Sequence, residues 1–246
     1  MFEQKKIALV TGGSRGIGAA TAILLAQNGY SVAVNFLKNQ KQAEDIAAKA
    51  RSFGVAAITI QGDLGDEQQI VKMFKKIDAE LGSVTALVNN GGISGGKKLI
   101  EEIDFKYLQE VYSANVFGSF ICCREAINRM KKNGGGAIVN ISSLAAKTAG
   151  FQMSAYASSK AAINNFTIGL SREAAELNIR VNAIALGVID TDTHAGISQE
   201  RSIHLNNSIP LKRMGTSLEA AEAIFWLLSE KSSYVTGSIL EVTGGK

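Results

Sequence analysis

Short apolar runs alternate along the chain with longer stretches in which apolar residues recur at helical spacing. The apolar runs do not alternate strictly with polar residues, and Gly, Asn, Asp or Ser bounds them, as is typical of strands buried on both faces of a sheet. We predict strands at residues 7–10, 31–36, 56–60, 86–88, 137–141, 179–186 and 238–242.

The stretches between these runs are predicted helices, at residues 17–27, 40–53, 67–81, 105–132, 155–177 and 217–228. A strand followed by a helix repeats through the chain without a linker or a shift in composition, which indicates a parallel sheet covered on both faces. We therefore predict an α/β fold: a Rossmann-like doubly wound parallel sheet of about seven strands, formed by a single domain over residues 1–246.

Residues 187–215 interrupt this alternation. The segment has weak periodicity and holds the only proline of the chain, Pro210. A segment of this length inside a compact domain is usually a lid or a binding loop. We predict that it covers the substrate.

The first predicted strand runs into a glycine-rich turn, Thr-Gly-Gly-Ser-Arg-Gly-Ile-Gly, at residues 11–18. Glycines permit positive φ and a close approach of the backbone to a pyrophosphate, and the helix N-terminus that follows attracts an anion. The spacing differs from G-x-G-x-x-G and lacks the ending of a P-loop, so a tight structural turn is the alternative. We expect cofactor contacts from Gly12, Ser14, Arg15, Gly16, Ile17 and Gly18.

The end of the second predicted strand indicates which dinucleotide binds. NAD sites place an acid about 20 residues after the glycines to bind the ribose 2′-hydroxyl, but no acid occurs between Arg15 and Glu44. This strand end instead reads Asn35-Phe36-Leu37-Lys38, and Arg15 and Lys38 would suit a 2′-phosphate. We predict that NADP(H) is preferred over NAD(H); the alternative is that both cations are only solvated.

The charge and cysteine content of the chain argue against several classes of partner and site. A net charge of +4 over 246 residues is weak, and the basic residues form isolated pairs, so we expect neither nucleic acid nor a membrane as a partner. The uncharged stretch 16–37 is broken by Gln27-Asn28-Gly29 and reads as helix, turn and strand. Cys122 and Cys123 are adjacent, which suits neither a disulfide nor a metal site, and a cytoplasmic location is expected.

These motifs, in this order, resemble the short-chain dehydrogenase/reductase family over essentially the whole chain. The match comprises T-G-x-x-x-G-x-G at residues 11–18, Asn-Asn-Gly-Gly at 89–92, Asn115, Ser143, and Tyr-Ala-Ser-Ser-Lys at 156–160. The resemblance implies hydride transfer between a nicotinamide cofactor and a carbonyl or alcohol group.

The predicted catalytic residues are Ser143, Tyr156, Lys160 and Asn115. Tyr156 and Lys160 are four residues apart, so they share one face of a helix with about 6 Å of rise between them. A nearby ammonium would lower the pKa of a tyrosine, which is ordinarily about 10. The resemblance implies that Tyr156 moves the proton, Lys160 also binds the nicotinamide ribose, Ser143 holds the substrate oxygen, and Asn115 holds a water beside Lys160.

The resemblance also extends the cofactor site beyond the first turn. It implies contacts at Asp63 and Leu64 after the third strand, at Asn89, Asn90 and Gly91 after the fourth, and at Gly187, Ile189 and Thr191 after the sixth. The chain departs from the family pattern at Gly91, where alanine is usual, and at Leu186, where proline is usual. We expect the second departure to loosen the backbone beside the nicotinamide.

The sequence does not fix the substrate. Lys147, Phe151, Met153, His194 and His204 are possible lining residues. We predict a generic carbonyl reductase, with a glucose or sugar 1-dehydrogenase and a 3-oxoacyl-(acyl carrier protein) reductase as alternatives. A non-catalytic dinucleotide sensor or nucleic-acid-binding protein is a further alternative, although it would not need the four catalytic residues. The resemblance also implies a homo-oligomer, a dimer or tetramer, built on helices 105–132 and 155–177, with Cys122, Cys123 and Phe166 in the core or at the interface.

Overall fold

A computed structural model describes residues 5–191 and 199–246. Within them, seven strands form one parallel sheet in the order β3-β2-β1-β4-β5-β6-β9. These strands are β1 (Ile7–Val10), β2 (Ser31–Phe36), β3 (Ala57–Gln61), β4 (Ala86–Asn89), β5 (Gly136–Ser143), β6 (Ile179–Leu186) and β9 (Ile239–Val242). The predicted sheet is confirmed, and the observed strand ends differ from the predicted ones by only one or two residues.

Helices cover both faces of the sheet. They are α1 (Gly16–Gln27), α2 (Gln40–Arg51), α3 (Glu67–Glu80), α4 (Phe105–Tyr112), α5 (Gly118–Met130), α6 (Ala145–Thr148), α7 (Ser154–Ala174), α8 (Gln199–Asn207) and α9 (Ser217–Leu228). Two apolar cores result, one on each face, because successive side chains of a strand point to opposite sides. In β1, Ala8 and Val10 pack in the first core, while Ile7 and Leu9 pack in the second core.

A chain of buried amides crosses the second core between β4, β5 and α7. Asn89 Nδ2 donates to Asn140 Oδ1 at 2.9 Å, and Asn140 Nδ2 donates to Thr167 Oγ1 at 2.9 Å. Asn140 and Thr167 are completely buried. Because a buried polar group without a partner is unfavourable, these bonds fix how α7 sits against the centre of the sheet.

The predicted helix 105–132 is two helices joined by a π-helical turn, Ser113–Phe117. A π turn widens the helix to bonds between residues five apart, is rare, and is frequently found at functional sites. Asn115 lies within it and is 1% exposed. Cys122 and Cys123 in α5 are buried in the core, where burial raises the pKa of both thiols.

The described parts of the segment 187–215, residues 187–191 and 199–215, form more regular structure than their sequence indicates. They contain β7 (Ile189–Asp190), which pairs in parallel with β8 (Gly215–Thr216), and they also contain α8. The described side chains of α8 are exposed or half-buried, so this helix has no apolar stripe that the sequence could show.

Candidate active site

The candidate site lies along the carboxyl edge of the sheet, where β1 and β4 are neighbours. The chain proceeds outward from β1 to β2 and β3 in one direction, and from β4 to β5 and β6 in the other. Such a reversal opens a crevice beyond the strand ends, which is where α/β sheets bind ligands. The turn after β1 and the loop after β4 meet at this point.

Hydrogen bonds lock the turn after β1 to the loop after β4. Asn90 Nδ2 donates to Thr11 O at 2.9 Å and to Gly12 O at 3.2 Å, while Thr11 Oγ1 accepts from the N–H groups of Asn90 and Gly91, both at 2.9 Å. Asn90 and Gly91, predicted to contact the cofactor, therefore shape the turn that would hold it. Thr11 was part of the sequence motif, but its bridging role was not predicted.

The glycines of this turn stand where a side chain would not fit. Gly12 has φ +60°, and a Cβ built on it would lie 2.9 Å from Gly91 Cα. A Cβ on Gly18 would collide with Gly12 O, and one on Gly91 would lie 2.5 Å from Leu64 Cδ1. The backbone around Gly12 and Gly18 therefore leaves no room for a side chain, whereas Gly91 faces the end of the Leu64 side chain.

The start of α1 has no side-chain cap, and the starts of α5 and α7 also lack one. Side chains of Asn39, Asp66, Asp104 and Thr216 cap α2, α3, α4 and α9. No side chain caps α1, whose N-cap is Arg15. Free N–H groups at a helix N-terminus favour a bound anion, so the segment Ser14, Gly16, Ile17 and Gly18 fits a pyrophosphate.

Arg15 and Lys38 are both exposed at this edge. In the part of the chain that the structure describes, neither makes an ion pair. Some other cations, such as Arg124 and Arg129, are paired with carboxylates. Both predicted phosphate-facing cations are therefore available to an anion.

Asn35 and Phe36 face the protein interior. Asn35 is 2% exposed, and its Oδ1 accepts from Gly12 N at 3.1 Å while its Nδ2 donates to Gly62 O at 3.1 Å. Phe36 is 4% exposed and packs in the first core. The side chains predicted to touch the cofactor thus support the turn, which leaves only the backbone of β2 for such a contact.

The other residues predicted on the adenine side differ in burial: Asp63 and Leu64 are half-buried, whereas Asn89 is buried. Asp63 is half-buried, and its Oδ1 accepts from Gly65 N at 2.8 Å, with Leu64 beside it. Asn89 is 4% exposed, and its side chain forms hydrogen bonds within the core. These bonds support the central strand, as expected, but they leave the side chain turned away from a ribose.

Ser143 and Tyr156 form the centre of the predicted catalytic group. Ser143 is the last residue of β5, and Tyr156 is in the first turn of α7. Burial raises the pKa of Tyr156, while a hydrogen bond with the Ser143 side chain acts in the lowering direction. The neighbouring Ser142 is turned away, since its Oγ donates to Lys160 O at 3.2 Å.

Lys160 is buried beneath Tyr156. Its Nζ lies 5.8 Å from the centre of the Tyr156 ring and donates to Ile141 O at 2.7 Å. Burial lowers the pKa of Lys160 to about 8. Contrary to the expectation that Lys160 lowers the pKa of Tyr156, the net effect on that phenol is upward, because desolvation dominates at this site.

Asn115 binds the loop after β4. Its Oδ1 accepts from Ile93 N at 2.8 Å, and its Nδ2 donates to Ile93 O at 2.9 Å and to Ser159 Oγ at 3.0 Å. Its backbone carbonyl accepts from Ser119 Oγ at 2.9 Å. Ser159 and Ser119 were not identified from the sequence; the helical spacing of Ser119 four residues after Asn115 was the available signal.

The residues after β6 approach the same crevice. Gly187 N donates to Val242 O at 3.0 Å, and a Cβ on Gly187 would lie 2.8 Å from Thr243 Cα. Ile189 is buried, and Thr191 Cγ2 is 3.5 Å from the position of a Cβ on Gly16. Leu186, where proline is usual in the family, is in register with Ser143 on one side and Val242 on the other, so it is the last paired residue of β6.

Two loops beside Ser143 and Tyr156 form an apolar rim. Phe151 is 79% exposed, and Ile93 on the facing loop is 41% exposed. The loops are joined by Lys98 N, which donates to Gln152 O at 2.9 Å. Of the other possible lining residues, Met153 is half-buried, Lys147 pairs with Glu241, His204 is exposed in α8, and His194 lies outside the described residues.

Residues 5–191 and 199–246 contain no group of three or more His, Cys, Asp or Glu side chains arranged to hold a metal ion. No helix in these ranges is both long and apolar enough to span a bilayer.

The chain is similar in sequence to known oxidoreductases. Residues 6–202 match the family model described as short chain dehydrogenase. The chain is 48% identical to the uncharacterized oxidoreductase YgfF of Escherichia coli, with 98% of this chain and 99% of that protein covered. It is 35% identical to the 3-oxoacyl-[acyl-carrier-protein] reductase FabG of Staphylococcus aureus, with 99% of each covered.

Solved structures show the same relationship. Acetoin dehydrogenase YohF from Salmonella typhimurium superposes with a TM-score of 0.88 at 36% identity, covering 98% of this chain and 96% of that one. A doubly substituted variant of a short-chain dehydrogenase/reductase from Serratia marcescens superposes with a TM-score of 0.92 at 30% identity, with 98% of each chain covered.

Proposed function

The chain belongs to the short-chain dehydrogenase family, and from that premise we propose that it is an NADP(H)-dependent oxidoreductase with Tyr156 as its acid/base. The reaction interconverts a carbonyl and a secondary alcohol. In this proposal residues 1–246 act as a single domain that binds the dinucleotide and carries out catalysis. The pairing of Ser143 with Tyr156 above a buried Lys160 is the observation that carries it.

Each member of this group has a separate task. When bound, the nicotinamide cofactor supplies or accepts the hydride. Ser143 Oγ donates a hydrogen bond to the substrate oxygen, and the Tyr156 hydroxyl gives a proton to that oxygen in reduction or removes it in oxidation. Lys160 binds the nicotinamide ribose when the cofactor is present, and Asn115 holds the loop beside them.

The protonation state of Tyr156 suits the reduction direction. Since burial raises the pKa of Tyr156, its phenol carries a proton at neutral pH and is ready to act as the acid. Alcohol oxidation needs the phenolate, which forms only at higher pH.

Arg15 and Lys38 support the preference for NADP(H). Both are exposed at the adenine end of the crevice, and neither has an ion-pair partner among the described residues. The lack of an acid between Arg15 and Glu44 removes the charge that would repel a 2′-phosphate.

For the substrate we favour a small ketone or ketoester. The exposed side chains of Phe151 and Ile93 offer apolar contact beside the reacting oxygen. The likeness to a 3-oxoacyl-[acyl-carrier-protein] reductase supports a 3-oxoacyl thioester as a second candidate. Purified protein assayed with acetoin, ethyl acetoacetate and acetoacetyl thioesters would separate the two.

The test of the mechanism is Tyr156→Phe. This change removes the hydroxyl that moves the proton, and we expect turnover with NADPH to fall by roughly a hundredfold or more. Tyr234→Phe is the matched control, because Tyr234 is fully exposed and should keep wild-type turnover. Unimpaired turnover by Tyr156→Phe would refute the acid/base role.

We also propose that the chain forms a homo-oligomer through α4, α5 and α7. Phe105 and Phe117 are 74% and 56% exposed, and Phe120 stacks on Phe166 with ring centres 3.6 Å apart at the surface between α5 and α7. Exposed apolar side chains that form a contiguous patch usually mark an interface. Sedimentation velocity at micromolar concentration is the test, and a monomer there would contradict the proposal.

A further inference from the structure

Ser159 is completely buried next to Lys160 and has two hydrogen bonds. Its Oγ donates to the backbone carbonyl of Tyr156 at 2.7 Å and accepts from Asn115 Nδ2 at 3.0 Å. One hydroxyl therefore joins the backbone of one predicted catalytic residue to the side chain of another.

Asn115 extends this connection to the loop after β4. Its remaining amide hydrogen and its oxygen bind the carbonyl and the N–H of Ile93. Gly92 permits the close approach, because a Cβ on it would lie 2.7 Å from Asn115 Oδ1 and 3.8 Å from Lys160 Nζ. A continuous set of bonds thus runs from Ile93 through Asn115 and Ser159 to Tyr156.

The π-helical turn is part of the same arrangement. Asn115 stands in the middle of the turn Ser113–Phe117, and Ser119 Oγ donates to its backbone carbonyl. A wide turn inside a helix is unfavourable unless neighbouring groups support it. Ser159 and Ser119 satisfy two polar groups of the residue at its centre.

The neighbouring Ser158 shows that an ordinary helical serine makes similar bonds. Its Oγ donates to Ala155 O at 3.0 Å and accepts from the Tyr112 hydroxyl at 2.9 Å. A bond to the carbonyl three residues earlier is common for serine in helices. The difference is in the partners: those of Ser159 are Asn115 and Tyr156, whereas those of Ser158 are outside the predicted catalytic group.

We propose that Ser159 is a positioning residue of the active site, which holds Tyr156 in register with the loop after β4 through Asn115. The proposal rests on the proposed function for its kinetic consequences. Without the hydroxyl, a buried Asn115 N–H has no acceptor and the first turn of α7 has lost its link to Ile93. The Tyr156 phenol is then held less well relative to Ser143.

The experiment compares Ser159→Ala with Ser158→Ala. Since small misplacements of reacting groups are costly, we expect Ser159→Ala to lower kcat by roughly tenfold to a hundredfold. The KM for NADPH should not change, because Ser159 contacts neither Arg15 nor Lys38. Amide hydrogen exchange at Ile93, measured by NMR or mass spectrometry, should become faster in Ser159→Ala. Ser158→Ala should match wild type in all three measurements.

A second variant covers poor folding of the first. Ser159→Cys keeps a similar volume but forms weaker hydrogen bonds, so it should show the same changes to a smaller degree. Unchanged kcat with unchanged exchange at Ile93 would overturn the proposal, as would equal losses in Ser158→Ala. If wild-type protein reduces no carbonyl in the panel, the proposed function fails, and exchange at Ile93 alone decides whether Ser159 holds this loop.

Discussion

The two ends of the crevice are built differently. At the cofactor end, the turn after β1 is shaped by close-packed glycines and by the side chains of Asn35 and Asn90, which are bonded to the backbone. The two cations there, Arg15 and Lys38, are exposed and make no ion pair with any described residue. At the catalytic end, Lys160, Ser159 and Asn115 are buried and bonded to one another or to neighbouring backbone.

Because of this difference, the two ends of the crevice tolerate different amino-acid substitutions. Exposed cations can be replaced without disturbing the fold, so the cofactor end can change specificity at little expense in stability. The buried polar groups of the catalytic end depend on each other, so changes there alter protonation and geometry together. The following predictions test that contrast, from the largest expected effect to the smallest.

The largest effect is in the pH dependence of the catalytic end. Burial raises the pKa of Tyr156, and at any pH below that pKa the phenolate fraction falls about tenfold for each further pH unit. We expect alcohol oxidation to increase up to alkaline pH and carbonyl reduction to be fastest at lower pH. Profiles of kcat/KM in both directions are the measurement, and coincident profiles would contradict the assignment.

The second prediction concerns Lys160 and stability. Its pKa is lowered by burial to about 8 from 10.5, so in this interval the unfolded chain binds more protons than the folded one. Stability therefore rises with pH across the interval, and wild type should gain about 3 kcal/mol relative to Lys160→Met between pH 8 and 10.5. Urea denaturation at several pH values measures this.

The control for that experiment is Lys131→Met, at an exposed position. It should differ little from wild type at any pH. If the difference in the free energy of unfolding between wild type and Lys160→Met does not change with pH, the pKa of Lys160 is not lowered by folding.

The third prediction compares two helical glycines. A Cβ on Gly18 would collide with Gly12 O, so Gly18→Ala should destabilise the protein by about 1–3 kcal/mol. A Cβ on Gly169 in α7 meets nothing within 4 Å, so Gly169→Ala should stabilise it by about 0.5–1 kcal/mol. Thermal or urea unfolding gives both values, and equal effects would refute the packing argument.

The fourth prediction concerns binding at the exposed cations, where a change leaves stability untouched. Arg15→Ala and Lys38→Ala each remove one charged contact, so each should weaken NADPH binding by roughly tenfold. NADH binding and stability should stay the same. Lys41→Ala, an exposed cation in α2, is the control. Equal loss of affinity for NADH and NADPH would rule out the phosphate contact.

Local signals were enough to predict the sheet and the main motifs. Strand and helix periods differ, and glycine has a backbone freedom that other residues lack, so both are visible in short windows of sequence. Phe36 and the segment 187–215 are two places where local sequence did not predict the structure. An apolar residue at a strand end does not reveal which face it takes, and α8 has no apolar stripe to distinguish it from a loop.

The sequence by itself determined the order of strands and helices, the glycine turn, and the placing of Tyr156 and Lys160 on one face of a helix. Only the tertiary structure decided that Asn35 supports Gly12, that Asn115 stands in a π turn, and that Ser159 joins Asn115 to Tyr156. Asn35 and Gly12 are 23 residues apart, and Ser159 and Asn115 are 44 apart. Such pairs meet only after the sheet has formed, since no local period relates them. Burial then set the pKa values of Tyr156 and Lys160, because desolvation depends on everything packed around a group.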